Sequence, residues 1–226
     1  MKRSQSLSTQ VYNVIKKDIL TCVLDPGSKI AQPELVSQYG FGVTPTREAL
    51  KRLEHEGYLQ SIPRFGYLIS PITERDMREV YDFRMILEKP AAQMAIKFAS
   101  DEQLSKILEQ ANFTYTYHDR ETYLKFLNHN IDFHRAIALA SGNRRLADTL
   151  TMVLNELTRP FSLGLDLRDS AEEMRREHIE LATALMDRDA ERTDRILDEQ
   201  ITRSRERIFE MLIRRHSQLP TQETIF

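Results

Sequence analysis

Apolar residues recur along most of this chain at the three- and four-residue steps of a helix. Leu7, Val11, Val14, Ile15, Ile19 and Cys22 form the first such stripe, which predicts a helix from about Leu7 to Val23 ended by Asp25-Pro26-Gly27. Pro33 is placed to open a short second helix that runs through Leu35 and Val36 to Tyr39 and stops at Gly40. After a tight turn at Gly40-Phe41-Gly42-Val43, Thr44 is expected to cap and Pro45 to open a third helix. Its inner face is Ala49, Leu50 and Leu53, and Gly57 closes it. Two short helices joined by a glycine-bearing turn are the helix-turn-helix pattern.

Past Gly57 the period changes. Tyr58-Leu59-Gln60-Ser61-Ile62 and Tyr67-Leu68-Ile69-Ser70 flank Pro63-Arg64-Phe65-Gly66, which predicts a hairpin projecting as a wing with Arg64 near its tip. From Thr73 onward no strand pattern returns. Turn signals near Ser100-Asp101, His118-Asp119, Ser141-Gly142-Asn143, Leu163-Gly164 and Asp187-Arg188-Asp189 divide the rest into six or seven helices, the first of them kinked or interrupted at Pro90. The expected fold is therefore mainly α: a winged helix-turn-helix of three helices plus a β-hairpin wing over residues 1–70, a linker at 71–73, an all-α helical bundle over 74–216, and a flexible tail from 217 to 226.

Composition sharpens this picture in two places. The net charge of −2 hides an uneven distribution: residues 1–72 carry nine Lys and Arg against six Asp and Glu, so a mildly basic head precedes an acidic body. No apolar run approaches the roughly 20 residues that span a bilayer. The start of the chain leads into no signal-peptide core, so a cytoplasmic protein with no membrane partner is expected. The single cysteine, Cys22, reads as ordinary packing.

The separated segments Asp25-Pro26-Gly27-Ser28-Lys29-Ile30, Leu35 to Leu50 ending Thr44-Pro45-Thr46-Arg47-Glu48-Ala49-Leu50, then Leu53, Glu56-Gly57 and Arg64-Phe65-Gly66 resemble the GntR family of transcription regulators. The remainder resembles the FCD effector-binding domain of its FadR subfamily, through Tyr81-Asp82-Phe83-Arg84 with Glu88, Asp132-Phe133-His134, Ser141-Gly142-Asn143 and Glu177-His178. The resemblance implies a homodimer that reads an inverted-repeat DNA operator. It also implies a repressor released when the body binds a small organic or sugar acid. One departure stands out: where the family often carries a serine and an arginine just before the threonine, this chain has Gly42 and Val43.

Candidate DNA contacts follow from the third helix and the wing. Thr44, Thr46 and Arg47 sit on the first turn, whose free N–H groups and positive dipole end suit phosphate. Arg47 can reach a guanine edge with two hydrogen bonds. Lys51 and Arg52 are further phosphate candidates, and the resemblance adds Arg64 and Gly66. The alternatives are that Thr44 only caps the helix and that Arg47 only pairs with a neighbouring carboxylate.

In the body, Arg84, His134 and His178 each interrupt an apolar helical stripe. A buried charge needs a partner, so Arg84 either holds an effector carboxylate or forms a structural pair with a glutamate such as Glu88. Many family members hold a divalent metal in this region. Asn130, His134 and His178 match three of the ligand positions, but Gln200 stands where the fourth histidine is expected. Two imidazoles and two amides make a poor tight site for zinc or nickel, so a ligand or water bonded directly by Asn130, His134, His178 and Gln200 competes with a metal, and plain core histidines remain a third reading. His118, His129 and His216 read as surface residues. The rival functions are a metal-dependent helical enzyme and a winged-helix protein-interaction module. For the enzyme the chain offers no phosphate loop, serine elbow, activated cysteine or paired carboxylates.

Overall fold

The computed structural model describes residues 6–218 and divides into two compact units between Thr73 and Glu74. The tail from residue 219 and the side chain of His216 lie outside what is described.

In the first unit, α1 (Leu7–Leu20) is capped by Ser6, whose hydroxyl accepts from the Thr9 N–H, and it buries Val11, Tyr12, Ile15 and Ile19. The helix ends earlier than its apolar stripe predicts. Cys22 takes a positive φ of 55°, and the Leu24 N–H turns back to donate to Asp18 O, which drops Leu24 into the core. Cys22 is thus buried in a turn beyond the helix rather than on its face.

Gly40, in the left-handed region, closes α2 (Gln32–Tyr39). The third helix, α3 (Val43–His55), begins one residue before the expected cap, with Gly42 at its N-cap. Thr44 is therefore inside the first turn and caps nothing. Pro45 tolerates this start because first-turn N–H groups have no intrahelical acceptor, so its missing donor costs nothing there. Leu35, Leu50 and Leu53 pack with the α1 stripe, each about 1.5–3 kcal/mol of apolar burial.

The wing is β2 (Leu59–Ile62) and β3 (Gly66–Ile69), paired antiparallel from Leu59 with Ile69 to Ile62 with Gly66. A two-residue strand, β1 (Lys29–Ile30), adds to the other edge of β3, giving the order β1-β3-β2. Nothing in its sequence announces it, since two residues carry no alternation. Its approach explains Gly66: φ is +143°, and a Cβ there would lie 2.5 Å from Ile30 O.

The second unit is α4 (Glu74–Phe98), α5 (Asp101–Gln110), α6 (Arg120–Ala140), α7 (Arg144–Glu156), α8 (Thr158–Gly164), α9 (Ala171–Met186) and α10 (Ala190–Gln218). Ser100, Asp119 and Asn143 accept first-turn N–H groups of α5, α6 and α7. The expected interruption at Pro90 is absent: α4 runs through it. The carbonyl that Pro90 leaves without a donor belongs to Ile86, whose residue is 65% exposed, so water can replace the lost bond. Helix α4 packs against α6, α7, α9 and α10, and Ala92, Ala95, Phe133, Ile137, Leu181, Leu185 and Leu197 meet in the core between four of these helices. Arg188 ties the end of α4 down, its guanidinium donating to Ile96 O and Ala99 O.

Replacing Gly66 with Ala should cost the head about 1–3 kcal/mol, because the backbone angle and the Ile30 carbonyl both exclude a side chain. Urea unfolding of the full chain measures this, and a loss within about 0.5 kcal/mol, the range of an ordinary surface change, would show that β1 does not press on the wing.

Candidate nucleic-acid interface and buried polar centre

Helix α3 sorts its residues by face. Thr44, Arg47, Glu48, Lys51 and Arg52 are exposed, whereas Thr46 is 1% exposed and its hydroxyl donates to Gly42 O at 2.9 Å. Thr46 is therefore not a DNA contact. Its hydroxyl satisfies a carbonyl at the start of the helix, and the reason is its spacing from Ala49, Leu50 and Leu53 on the inward face.

Arg52 is engaged on one side. Its guanidinium lies 3.6 Å from the centre of the Tyr12 ring and its Nε donates to Glu56 Oε1 at 3.1 Å. Tyr12 Oη and Lys16 Nζ each donate to Glu56 Oε2 at 2.7 Å. Burial alone would lower the Lys16 ammonium, but its bonds to Glu56 and Tyr12 outweigh that and hold it above its usual range. This cluster ties α1 to the end of α3, and of its members only Glu56 stood in a quoted motif, with no role assigned to it. The bond to Glu56 uses only Nε, and the exposed Nη groups of Arg52 leave the expected phosphate role open.

Thr44, Arg47 and Lys51 thus form the exposed polar face at spacings of three and four residues. In the wing, Arg64 is exposed in the turn at φ +64°. Gly66 is set by the strand contact described above.

In the second unit the three stripe-breaking residues converge. Arg84, Glu88, Asn130, His134, His178 and Gln200 are all buried. Arg84 Nε donates to Glu88 Oε1, four residues on, and Arg84 Nη1 donates to Ser204 Oγ at 3.3 Å. Ser204 also meets Tyr81 Oη at 2.7 Å. The other Glu88 oxygen lies 3.0 Å from His134 Nδ1, an ion-pair distance rather than a well-aligned hydrogen bond. A carboxylate there keeps the ring proton on Nδ1. Burial would raise the Glu88 carboxyl, but Arg84 and then His134 outweigh it and hold it at about 2.

His178 Nε2 lies 2.9 Å from Asn130 Oδ1, so Nε2 carries the proton and donates. That leaves Nδ1 as a bare, buried lone pair with no hydrogen-bond partner among the described residues. Burial first, then His134 and Arg84, hold His178 well below its usual range, so the ring is neutral. Phe113 stacks on it at 4.6 Å between centroids. Gln200 Nε2 donates to Glu177 O.

Two of the four expected metal positions suit a metal and two do not. His134 has the carboxylate-backed imidazole of many metal ligands. Asn130 is engaged with His178, Gln200 offers only an amide oxygen, and the permanent cation Arg84 sits beside them. The set does not fit a tightly held zinc or nickel ion. Among the described residues no group of three or more His, Cys, Asp or Glu is placed to hold a metal ion.

Phe113 and Ser204 were not singled out in the sequence, and Tyr81 and Glu177 entered only as part of the family resemblance, not as members of the site. The legible signal was on α10, where Thr193, Gln200 and Ser204 lie among Leu197, Ile201 and Ile208, and all six are buried. His118 and His129 are exposed, as expected.

A winged helix-turn-helix joined to a helical bundle with a buried polar centre defines a class of DNA-binding regulators. Residues 7–69 match the family described as bacterial regulatory proteins, gntR family, and residues 79–203 match the FCD domain. The chain belongs to the GntR family, in its FCD-containing, FadR-like branch, and is a DNA-binding transcription regulator with an effector-binding body.

It is similar to the HTH-type transcriptional regulator YdhC of Bacillus subtilis strain 168, 32% identical over 172 residues that make up 75% of this chain and 76% of that protein. It is also similar to the HTH-type transcriptional repressor RspR of Escherichia coli K12, 21% identical over 198 residues, covering 88% and 87%. The solved structure of E. coli McbR/YncC has the same fold, with a TM-score of 0.68 at 24% identity over 92% of this chain and 100% of that one. Among the described residues no helix is long and apolar enough to cross a membrane.

The buried centre makes the body acid-sensitive. A group whose folded value is depressed contributes stability above its unfolded value and loses it as pH falls, so His178 acts from about pH 6.5 downward and Glu88 from about 4.5 downward. Urea midpoints should therefore fall between about pH 7.5 and 5.5, and His178→Gln should flatten that slope. An unchanged slope in the variant would show that another group titrates. At neutral pH Glu88→Gln leaves Arg84 unpaired and should cost about 3–5 kcal/mol.

Proposed function

We propose that this regulator binds as a homodimer to an inverted repeat, with α3 in the major groove of each half-site, and releases the operator when a small hydroxy or sugar acid enters the body. The carrying observation is the exposed face of Thr44, Arg47 and Lys51 on a helix braced from behind by the Tyr12–Lys16–Glu56–Arg52 cluster. Arg47 reads a guanine edge, Thr44 and Lys51 hold phosphate, and Arg64 on the wing adds a further contact. Two-fold operator symmetry follows from two-fold protein symmetry. Such a protein works on DNA in the cytoplasm and performs no chemistry on its effector.

The effector class is supported by two features of the buried centre. Arg84 is already neutralised by Glu88, so a carboxylate ligand binds by taking the place of Glu88 on the guanidinium. The lone pair of His178 Nδ1 accepts a hydrogen bond, which a hydroxyl on the same ligand supplies. Displacing Glu88 alters the packing of α4 against α6 through His134. The ligand shifts the DNA-binding equilibrium only to the extent that it favours one arrangement over the other.

Arg47→Ala should weaken binding to a duplex selected by the wild-type chain by about 1–3 kcal/mol, measured by anisotropy titration. Unchanged affinity would remove α3 from the groove, as the protein-interaction reading of the head requires. Adding a panel of hydroxy and sugar acids to the same titration should release DNA with at least one of them. Complete indifference across the panel counts against the acid-sensing reading.

A further inference from the structure

The leading edge of α3 carries methyl groups where a recognition helix usually presents polar atoms. Val43 is the first residue of the helix and is 60% exposed. Its position is not slack: Gln32 Nε2, at the start of α2, donates to Val43 O at 3.2 Å. A valine within a helix has essentially one χ1 rotamer, so its two methyls point in a fixed direction and lose little freedom on contact. Gly42 before it brings no side chain to the first turn, although nothing there excludes one. Its φ is −68°, and an added Cβ would meet only Pro45 ring carbons, at 3.6 and 3.7 Å. The advancing end of the helix therefore offers two methyls and bare backbone N–H groups.

Val43 and Arg47 are four residues apart and share a face, with Cβ atoms about 5–6 Å apart. Base pairs rise about 3.4 Å, so the two side chains reach bases one or two steps apart. In the major groove only thymine presents a methyl, at C5. We infer that Val43 is a specificity-determining residue that packs against the C5 methyl of a thymine, one or two steps from the base pair read by Arg47. A polar or charged residue at the same position would favour a different base. The inference rests on α3 being the recognition helix.

The test uses the full chain and a duplex it selects from a randomised library. Each thymine of the selected site is replaced singly by deoxyuridine, which keeps the base pair and deletes the C5 methyl. Wild type, Val43→Ala and Arg47→Ala are then titrated on every duplex. One thymine per half-site should matter: its replacement weakens wild type about fourfold, the effect of one buried methyl, and leaves Val43→Ala unchanged. Val43→Ala should itself be weaker than wild type on the thymine duplex and equal to it on the deoxyuridine duplex. If every replacement affects wild type and Val43→Ala alike, the thymine contact is overturned. Loss of affinity in Arg47→Ala would in that case still uphold α3 as the recognition helix, whereas equal binding by all three proteins would overturn both readings.

Discussion

The body of this protein is organised around one constraint: a guanidinium cannot shed its proton, so an arginine buried inside a helical bundle must carry its counter-charge in with it. Arg84 meets this with Glu88, one turn further along the same helix. The second oxygen of that carboxylate then dictates where His134 must stand, and the remaining guanidinium donors dictate Ser204 on α10. Helices α4, α6 and α10 are thereby joined by a polar chain, so removing one partner alone leaves the others buried and unpaired. Such a pair contributes little net stability over an apolar equivalent, because desolvation offsets most of the attraction.

The head follows the opposite logic. The charged residues of α3 mostly face water, and one of them, Arg52, also lays its guanidinium over the Tyr12 ring of α1 while its outer side stays exposed. The Tyr12–Lys16–Glu56–Arg52 cluster and the close passage of Ile30 past Gly66 are both devices of rigidity. A rigid head suits sequence reading, because side chains that reach base edges must be placed before contact. The body differs in kind: its polar groups are buried and largely paired with one another, whereas those of the reading surface are left to solvent.

Periodicity revealed the three-helix head, the wing and the all-helical body, since the 3.6-residue stripe and the alternating hairpin are local properties of the chain. The convergence of Arg84, His134 and His178 was visible in the same way: each breaks an apolar stripe, and a polar residue on an inward face has to be answered from somewhere. What those residues answer to was not visible. Gln200 was expected beside His178, yet its amide nitrogen goes to the Glu177 carbonyl on the neighbouring helix. Local pattern named Glu88 as one possible partner for Arg84, and only the tertiary structure shows the two side chains joined.

The amino-acid sequence by itself determined which elements form and which faces turn inward, because spacing and side-chain polarity act over a few residues. Tertiary structure alone decided the rest. It moved the start of α3 to Val43 and turned Thr46 inward. It paired Lys29–Ile30 with the wing, carried α4 through Pro90 and committed Arg52 to Glu56. Each of these outcomes depends on a partner distant in the chain or on which side of an element water reaches, and no local pattern carries that information.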